Sequence, residues 1–345
     1  MAREEPIGVG IIGLGRAGRE MHVRELAPLK GFRIAAGCDA LEERPRKLAS
    51  EFGAKPYSKH TDLLKDRDVE LVVVATRQDT HARIAVEALR AGKHVIVEKP
   101  LACSLAELDT MLAAVRESGK LLFPRHNRRW DADFQHVREV IASGVLGEVF
   151  YIRLCRHAYS RRRDWQTLRR FGGGQLNNWG PHIIDHALQF LGGQPQVALS
   201  ELRRVAAAGD AEDHVKVVLR GPTGMLVDME ISGGVALGEP DYRVMGTLGA
   251  LVCDGKESRL KYLDPREIQP VVADPNTPDE GAGFGREEAL PWHEETRPAQ
   301  PVSRMPSFYE CGYQAIREGK PFPVTLDDAR NVMWVMEKAR EMSAF

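Results

Sequence analysis

Ile7-Gly8-Val9-Gly10-Ile11-Ile12-Gly13-Leu14-Gly15-Arg16-Ala17-Gly18 runs from an apolar strand straight into a glycine-spaced turn. Gly13, Gly15 and Gly18 stand at the G-x-G-x-x-G spacing, which lets backbone N–H groups approach a pyrophosphate while the next helix points its positive N-terminus at the charge. The stretch predicts a dinucleotide cradle made of Gly13, Leu14, Gly15, Arg16, Ala17 and Gly18. A ligand-free strand-to-helix turn uses the same glycines, so the residues that follow have to decide.

They continue the pattern. A helical periodicity runs to Leu29, Gly31 breaks it, and Phe32 to Asp39 resumes as a strand, completing βαβ. Asp39 lies 21 residues beyond Gly18, where the fold places an acid on the adenosine ribose hydroxyls. Such an acid repels a 2′-phosphate, and Ala40 brings neither hydroxyl nor cation to receive one. NAD is therefore expected rather than NADP, although Arg44 offsets part of the repulsion. Helix and strand then alternate: Glu42–Phe52, Val69–Ala75, Thr80–Ala91, His94–Val97, a helix opened by Ser104-Leu105-Ala106-Glu107, and Leu121–Phe123. This predicts an α/β Rossmann domain with a doubly wound parallel sheet over residues 1–123.

After Pro124 the pattern changes. A helix over Asp131–Ala142 precedes β-rich runs at 148–156, 197–205, 214–220, 225–231, 242–246 and 259–263. Short glycine turns such as Gly221-Pro222-Thr223-Gly224 indicate a large, mainly antiparallel open sheet in an α+β domain over residues 124–345, carrying substrate binding and oligomerisation. An exposed apolar sheet face would serve as the contact of a homodimer or homotetramer. Asp264–Pro306 holds eight of the twenty prolines and is expected to lack regular structure, as a plain loop or as an arm over a neighbouring site. Thr325-Leu326-Asp327-Asp328 caps a last helix.

Composition excludes several classes. In 345 residues, 48 Lys and Arg nearly cancel 49 Asp and Glu, so no field exists to hold nucleic acid or an anionic membrane surface. Five scattered cysteines without a C-x-x-C pair speak against a disulfide framework or a zinc knuckle, and no leader or spanning apolar run is apparent. A cytoplasmic protein acting on a small molecule is the expectation.

Two stretches carry candidate chemistry. Glu98-Lys99-Pro100 ends a parallel strand at the ligand-binding edge, where an ammonium can hydrogen-bond a substrate oxygen and stabilise developing alkoxide charge. Gly172-Gly173-Gly174-Gln175-Leu176-Asn177-Asn178-Trp179-Gly180-Pro181-His182-Ile183-Ile184-Asp185-His186 places a loop before a helix that bears two imidazoles. A neutral imidazole there accepts a hydroxyl proton. His182 and His186 also have the spacing of a helical zinc pair, but no third ligand accompanies them, and no metal is expected.

Taken together, Gly13 to Gly18, Asp39, Ala75-Thr76 with His81, Glu98-Lys99-Pro100, Asn127-Arg128-Arg129, Asp164-Trp165, the Gly172 to Asp185 stretch, Gly246-Thr247-Leu248-Gly249-Ala250 and Pro321-Phe322-Pro323-Val324 resemble the Gfo/Idh/MocA family (glucose-fructose oxidoreductase, inositol 2-dehydrogenase, rhizopine catabolism). The resemblance implies an NAD(P)-dependent oxidoreductase acting on a CH–OH group of a sugar, inositol or sugar derivative. It implies that Lys99 holds the reacting hydroxyl, His182 is the general base and Asp185 binds or orients substrate. Thr76, His81, Glu98, Asn127 and Trp165 join Lys99 and Asp39 beside the cofactor. Two departures stand out: Asn178 where many relatives carry Asp, and Arg77 where they carry Pro. With Asn178 the site is more cationic than the family norm, and the Arg161-Arg162-Arg163 run suits either an anionic substrate or plain solvent. The same fold also hosts sugar-sensing regulators without turnover and NAD-retaining lyases or glycosidases that pass through a keto-sugar, so the motifs leave these two alternatives standing.

Overall fold

Two sheets organise the chain in the computed structural model, which describes residues 5–273, 275, 288–303 and 305–345. The first comprises β1 (Ile7–Ile12), β2 (Phe32–Cys38), β3 (Lys55–Tyr57), β4 (Leu71–Val74), β5 (His94–Val97) and β6 (Leu122–Pro124), all parallel, in the order β3-β2-β1-β4-β5-β6. The order reverses between β1 and β4, which opens a crevice at their carboxyl ends. Strand side chains alternate between faces, and both faces are covered: Val9, Ile11, Leu71 and Val73 join one apolar cluster, Ile12, Val72 and Val74 the other. That double burial explains why these strands read as unbroken apolar runs.

The second sheet holds β7 (Val149–His157), β8 (Gln196–Arg203), β9 (His214–Arg220), β10 (Leu226–Ser232), β11 (Tyr242–Gly246), β12 (Gly249–Cys253), β13 (Glu257–Tyr262) and β14 (His293–Pro298) in the order β14-β13-β12-β11-β7-β10-β9-β8. Its pairs are antiparallel except β7 with β10. Ile152, Leu154, Val217, Val227 and Met229 of its inner face share a core with Ile184, Ala187, Val332 and Met336 of helices Gly180–Leu191 and Leu326–Met342.

Three expectations need correction. β12 and β14 are strands that periodicity did not reveal, and β14 lies inside the stretch expected to be irregular. Its sequence, His-Glu-Glu-Thr-Arg-Pro, is a charged edge strand that pairs with β13 through backbone groups and through side chains, Lys261 with Glu294 at 2.7 Å and Tyr262 stacked on His293 at 5.4 Å. Of the 264–306 stretch expected as a loop or an arm over a neighbouring site, residues 274, 276–287 and 304 lie outside the described residues. The open sheet face is not uniformly apolar: beside Val218, Met245 and Val252, Arg153 meets Asp228, Glu230 and Glu239, Lys216 joins Asp228 and Glu230, and the Tyr151 hydroxyl donates to Asp228 at 2.9 Å. Finally, the two domains are not two uninterrupted segments. Helix Phe308–Glu318 packs Phe308, Tyr309 and Ala315 into the cluster of Ile7, Val9 and Phe32, so the chain returns to its first domain near its end.

Candidate active site

The cradle is shaped by close backbone approach. Gly13 has φ +92°, and a Cβ there would lie 2.5 Å from the Ala75 carbonyl oxygen. A Cβ on Gly18 would lie 1.9 Å from the Gly13 carbonyl oxygen, so strand and helix meet at a distance only glycine permits. Gly15 differs, because a Cβ there would find only the Arg44 guanidinium, at 3.9 Å. Two glycines thus lock the turn and the middle one opens to free space, which is what a diphosphate laid against the backbone requires. The helix begins as a π-helical turn, Ala17–Val23, and continues through Arg24–Leu26. Asp39 is tied to the cradle: its Oδ2 accepts the Leu14 N–H at 2.7 Å, its Oδ1 the Leu41 N–H at 3.0 Å, and Arg44 Nη1 stands 3.3 Å from Oδ2. Arg16 is exposed beside the turn.

At the ends of β4 and β5 the loops are cross-braced. The Thr76 hydroxyl is 2.7 Å from that of Thr80. His81 is buried, with Nδ1 2.8 Å from the Pro100 carbonyl oxygen and Nε2 3.2 Å from that of Thr76. Its ring spans the two loops and braces one against the other. The Lys99–Pro100 peptide is cis. Arg77, at the position that departs from the family, stacks its guanidinium 4.6 Å from the Phe171 ring centroid and so links this loop to the Gly172 segment.

Lys99 reaches across the cleft. Its Nζ donates to the Asn178 carbonyl oxygen at 2.9 Å and to Asn178 Oδ1 at 3.1 Å. Burial lowers its pKa from the ordinary lysine value; Glu98 opposes that shift, while Arg128, Arg16 and Arg162 add to it. His182 follows on helix Gly180–Leu191, buried, with Nδ1 lacking a hydrogen-bond partner among the described residues. Burial first, then Lys99, Arg128, His126 and His186, hold the imidazole well below its usual range, so it is neutral at physiological pH. The site thus sets the Lys99 amine, held by Asn178, beside a neutral imidazole.

Asp185 takes a different place from the one expected. Both its oxygens are engaged by Arg129, Oδ1 at 2.6 Å and Oδ2 at 2.7 Å, and Arg129 also donates to Asp328 at 3.2 Å. The carboxylate is buried, and this bidentate pair ties the His182 helix to the Asn127–Trp130 turn and the start of the last helix. His186 is likewise committed, with Nε2 3.0 Å from the Arg128 carbonyl oxygen, Nδ1 3.2 Å from the Tyr242 hydroxyl, and its ring stacked on Phe134 at 3.8 Å. Among the described residues no group of three His, Cys, Asp or Glu side chains is arranged to hold a metal. Asn127 and Trp165 are half-buried and open short 3₁₀ turns. Arg162 is fastened to Asp164, and Arg161 and Arg163 are exposed.

Several contacts around the site escaped the sequence reading. Arg128 and Arg156 each stack a guanidinium 4.3 Å from the Trp179 ring, next to His182. Beneath the Lys99 turn, Glu98 Oε1 accepts from His22 Nε2 at 3.0 Å, and His22 Nδ1 lies 2.6 Å from the Tyr309 hydroxyl. Glu98 therefore turns inward instead of presenting its carboxylate to a cofactor ribose. Burial opposes its charge, but the hydrogen bond from His22 and the charges of His22, Arg125 and Lys99 outweigh it and draw its pKa down to about 2. His22 offered one sign, a histidine within the first apolar helix; Tyr309, 287 residues away, offered none.

Comparison with known proteins gives the family and the fold. Residues 7–126 match the description "Oxidoreductase family, NAD-binding Rossmann fold" and residues 134–252 the "GFO/IDH/MocA C-terminal domain". The chain is 30% identical over 339 residues to the oxidoreductase YdgJ of Escherichia coli, covering 96% of this chain and 94% of that one. It is 27% identical to the scyllo-inositol 2-dehydrogenase (NADP(+)) IolW of Bacillus subtilis, covering 98% and 94%. Among solved structures, an NAD-binding protein from Listeria innocua superposes with a TM-score of 0.84 at 23% identity over 99% and 98% of the two chains. GenD2 from gentamicin A biosynthesis, in complex with NAD, superposes with a TM-score of 0.75 at 25% identity over 98% and 94%. The chain is an NAD-binding oxidoreductase and belongs to the GFO/IDH/MocA family.

Proposed function

We propose that this protein reversibly oxidises a secondary alcohol on a sugar, inositol or sugar-derived ring. The observation that carries the reading is the pairing of Lys99, aimed across the cleft by both oxygens of Asn178, with a neutral His182. The Gly13–Gly18 turn and Asp39 hold NAD, with Thr76, Asn127 and Trp165 toward its nicotinamide end. Bound NAD supplies the hydride acceptor. Lys99 Nζ donates to the substrate oxygen and stabilises negative charge as it develops there. His182 takes the hydroxyl proton on a ring nitrogen and returns it in the reverse direction. Asp185 and Arg129 keep the base-bearing helix in register. IolW and a 28% identical Thermotoga maritima relative named myo-inositol 2-dehydrogenase support a polyol or sugar substrate. A homo-oligomer forms through the open face of the second sheet, with its Arg153 and Lys216 ion pairs, and the protein works in the cytoplasm.

The test is a panel of inositols, aldoses, uronic acids and nucleotide sugars, followed by reduction of NAD or NADP. On the substrate so found, Lys99→Ala loses turnover by about a hundredfold or more, the scale of an oxyanion-stabilising group, and keeps NAD binding. Undiminished turnover overturns the reading.

A further inference from the structure

The reaction centre rests on a buried polar chain that no part of the proposed mechanism touches. Glu98, His22, Tyr309 and Arg125 are 6%, 0%, 1% and 1% exposed. Burying so many polar groups is costly unless each is satisfied by a partner, and a satisfied network fixes its members rigidly. Glu98 Oε1 accepts from His22 Nε2 at 3.0 Å, and its Oε2 accepts the backbone N–H of Lys99 at 3.2 Å. The other nitrogen of His22 is 2.6 Å from the Tyr309 hydroxyl. Arg125 backs the carboxylate, its Nε 3.9 Å from Oε1, while its Nη2 donates to Glu25 at 2.5 Å and its guanidinium lies 4.2 Å from the Phe308 ring centroid. Nε and Nη1 of Arg125 have no hydrogen-bond partner among the described residues, so its charge is answered mainly through Glu98 and Glu25.

The members come from distant parts of the chain. Glu98 follows β5, Arg125 follows β6, His22 sits on the first helix, and Phe308 and Tyr309 begin helix Phe308–Glu318, which re-enters the first domain. We propose that Tyr309 and His22 are positioning residues of this active site: they clamp the Glu98 carboxylate, and Glu98 in turn holds the Lys99–Pro100 turn by its backbone and steadies the Lys99 ammonium by its charge. The inference rests on the reading of Lys99 as the group that holds the reacting oxygen. Glu98 suits the role because Lys99 otherwise faces Arg16, Arg128 and Arg162, with uncharged Asn178 across the cleft. A chain with Asp in place of Asn178 would have a second carboxylate for this purpose. Here, among the groups that act most strongly on Lys99, Glu98 is the one carboxylate.

Tyr309→Phe removes one hydroxyl and leaves the ring packing against Phe32 and Phe308. The expected result is a kcat lowered about tenfold, the scale of one hydrogen bond lost from a charged network, with the NAD Kd, read from quenching of tryptophan fluorescence, at the wild-type value. The alkaline limb of the kcat profile, where Lys99 loses its proton, moves to lower pH, because a loosened Glu98 favours the ammonium less. A purely structural role would not move that limb. His22→Gln, which keeps an N–H donor near Nε2, retains more kcat than His22→Leu. Wild-type kcat and an unmoved alkaline limb in Tyr309→Phe overturn the inference even if the protein melts earlier. Equal losses in His22→Gln and His22→Leu overturn the role of His22. Lys99→Ala, run alongside, separates the two claims: turnover retained there refutes the proposed function itself, whereas turnover lost there with Tyr309→Phe unaffected refutes only the clamp.

Discussion

The cofactor cradle and the reaction centre are built by opposite means. From Gly13 to Asp39 the chain uses backbone: glycines that touch carbonyl oxygens, N–H groups given to one carboxylate, and a helix start. Around Lys99 it uses side chains drawn from far apart, with Asn178 supplied 79 positions downstream and Tyr309 reaching His22 across 287. Backbone recognition tolerates almost any sequence that keeps its glycines, whereas a side-chain site fails one residue at a time. The difference predicts that damage to the cradle is all-or-none and damage to the centre is graded.

Gly18→Ala is the sharpest way to break that contrast. The new Cβ, 1.9 Å from the Gly13 carbonyl oxygen, forces strand and helix apart, costing about 3 kcal/mol in stability, the upper range for overpacking. The NAD Kd, measured by calorimetry, rises by at least about a hundredfold, the equivalent of roughly 3 kcal/mol. Lys99→Ala, by contrast, leaves that Kd alone. A Gly18→Ala protein that binds NAD normally would show that the turn is not the anchor.

Acid probes the other region. Burial lowers the pKa of His81, His126, His182 and His186, all on the reaction side, and brings His186 down to about 4. The sign follows from linkage: between about 6.5 and the folded value the unfolded chain binds the proton and the native chain does not, so stability is lost as pH falls. At pH 5 His186 alone removes roughly 2 kcal/mol, at 1.4 kcal/mol per pH unit below its unfolded pKa. Urea midpoints at pH 7.5 and 5 measure this, and equal midpoints would mean these imidazoles are not held neutral.

Legibility in the sequence followed the same division. The parallel sheet was readable because β1, β4 and β5 bury both faces and carry unbroken apolar runs, and the cradle because three glycines and Asp39 keep fixed spacings. Lys99, Asn178 and His182 were readable as a group only through the family resemblance, and the hydrogen bond that Asn178 accepts on its backbone carbonyl was not readable at all. Asp185 illustrates the limit: a carboxylate three residues after a base is placed by spacing, but only the fold shows that Arg129 claims both its oxygens. β14 and the return of helix Phe308–Glu318 to the first domain were hidden because a charged edge strand has no apolar period and an amphipathic face does not name its partner.

The finest discrimination between the two regions comes from Asn178→Asp, which changes charge without disturbing shape. The cradle contains no contact with this residue, so NAD affinity stays put. In the centre the new carboxylate takes over the 3.1 Å contact with Lys99 Nζ as a charge-assisted bond and favours the ammonium. It also adds a negative charge beside a histidine on which the largest charge effects, those of Lys99, Arg128, His126 and His186, all oppose protonation. Both shifts have the same sign, so the acid limb of kcat/KM, set by His182, and the alkaline limb, set by Lys99, move together to higher pH. Turnover on the plateau changes by less than about tenfold, since Lys99 still donates to the substrate oxygen and His182 still takes the proton. The wild-type Asn178 thus extends the base form of His182 toward acid at the cost of the lysine's reserve in alkali. A profile whose two limbs stay fixed, or move apart, would show that charge at position 178 does not govern this pair.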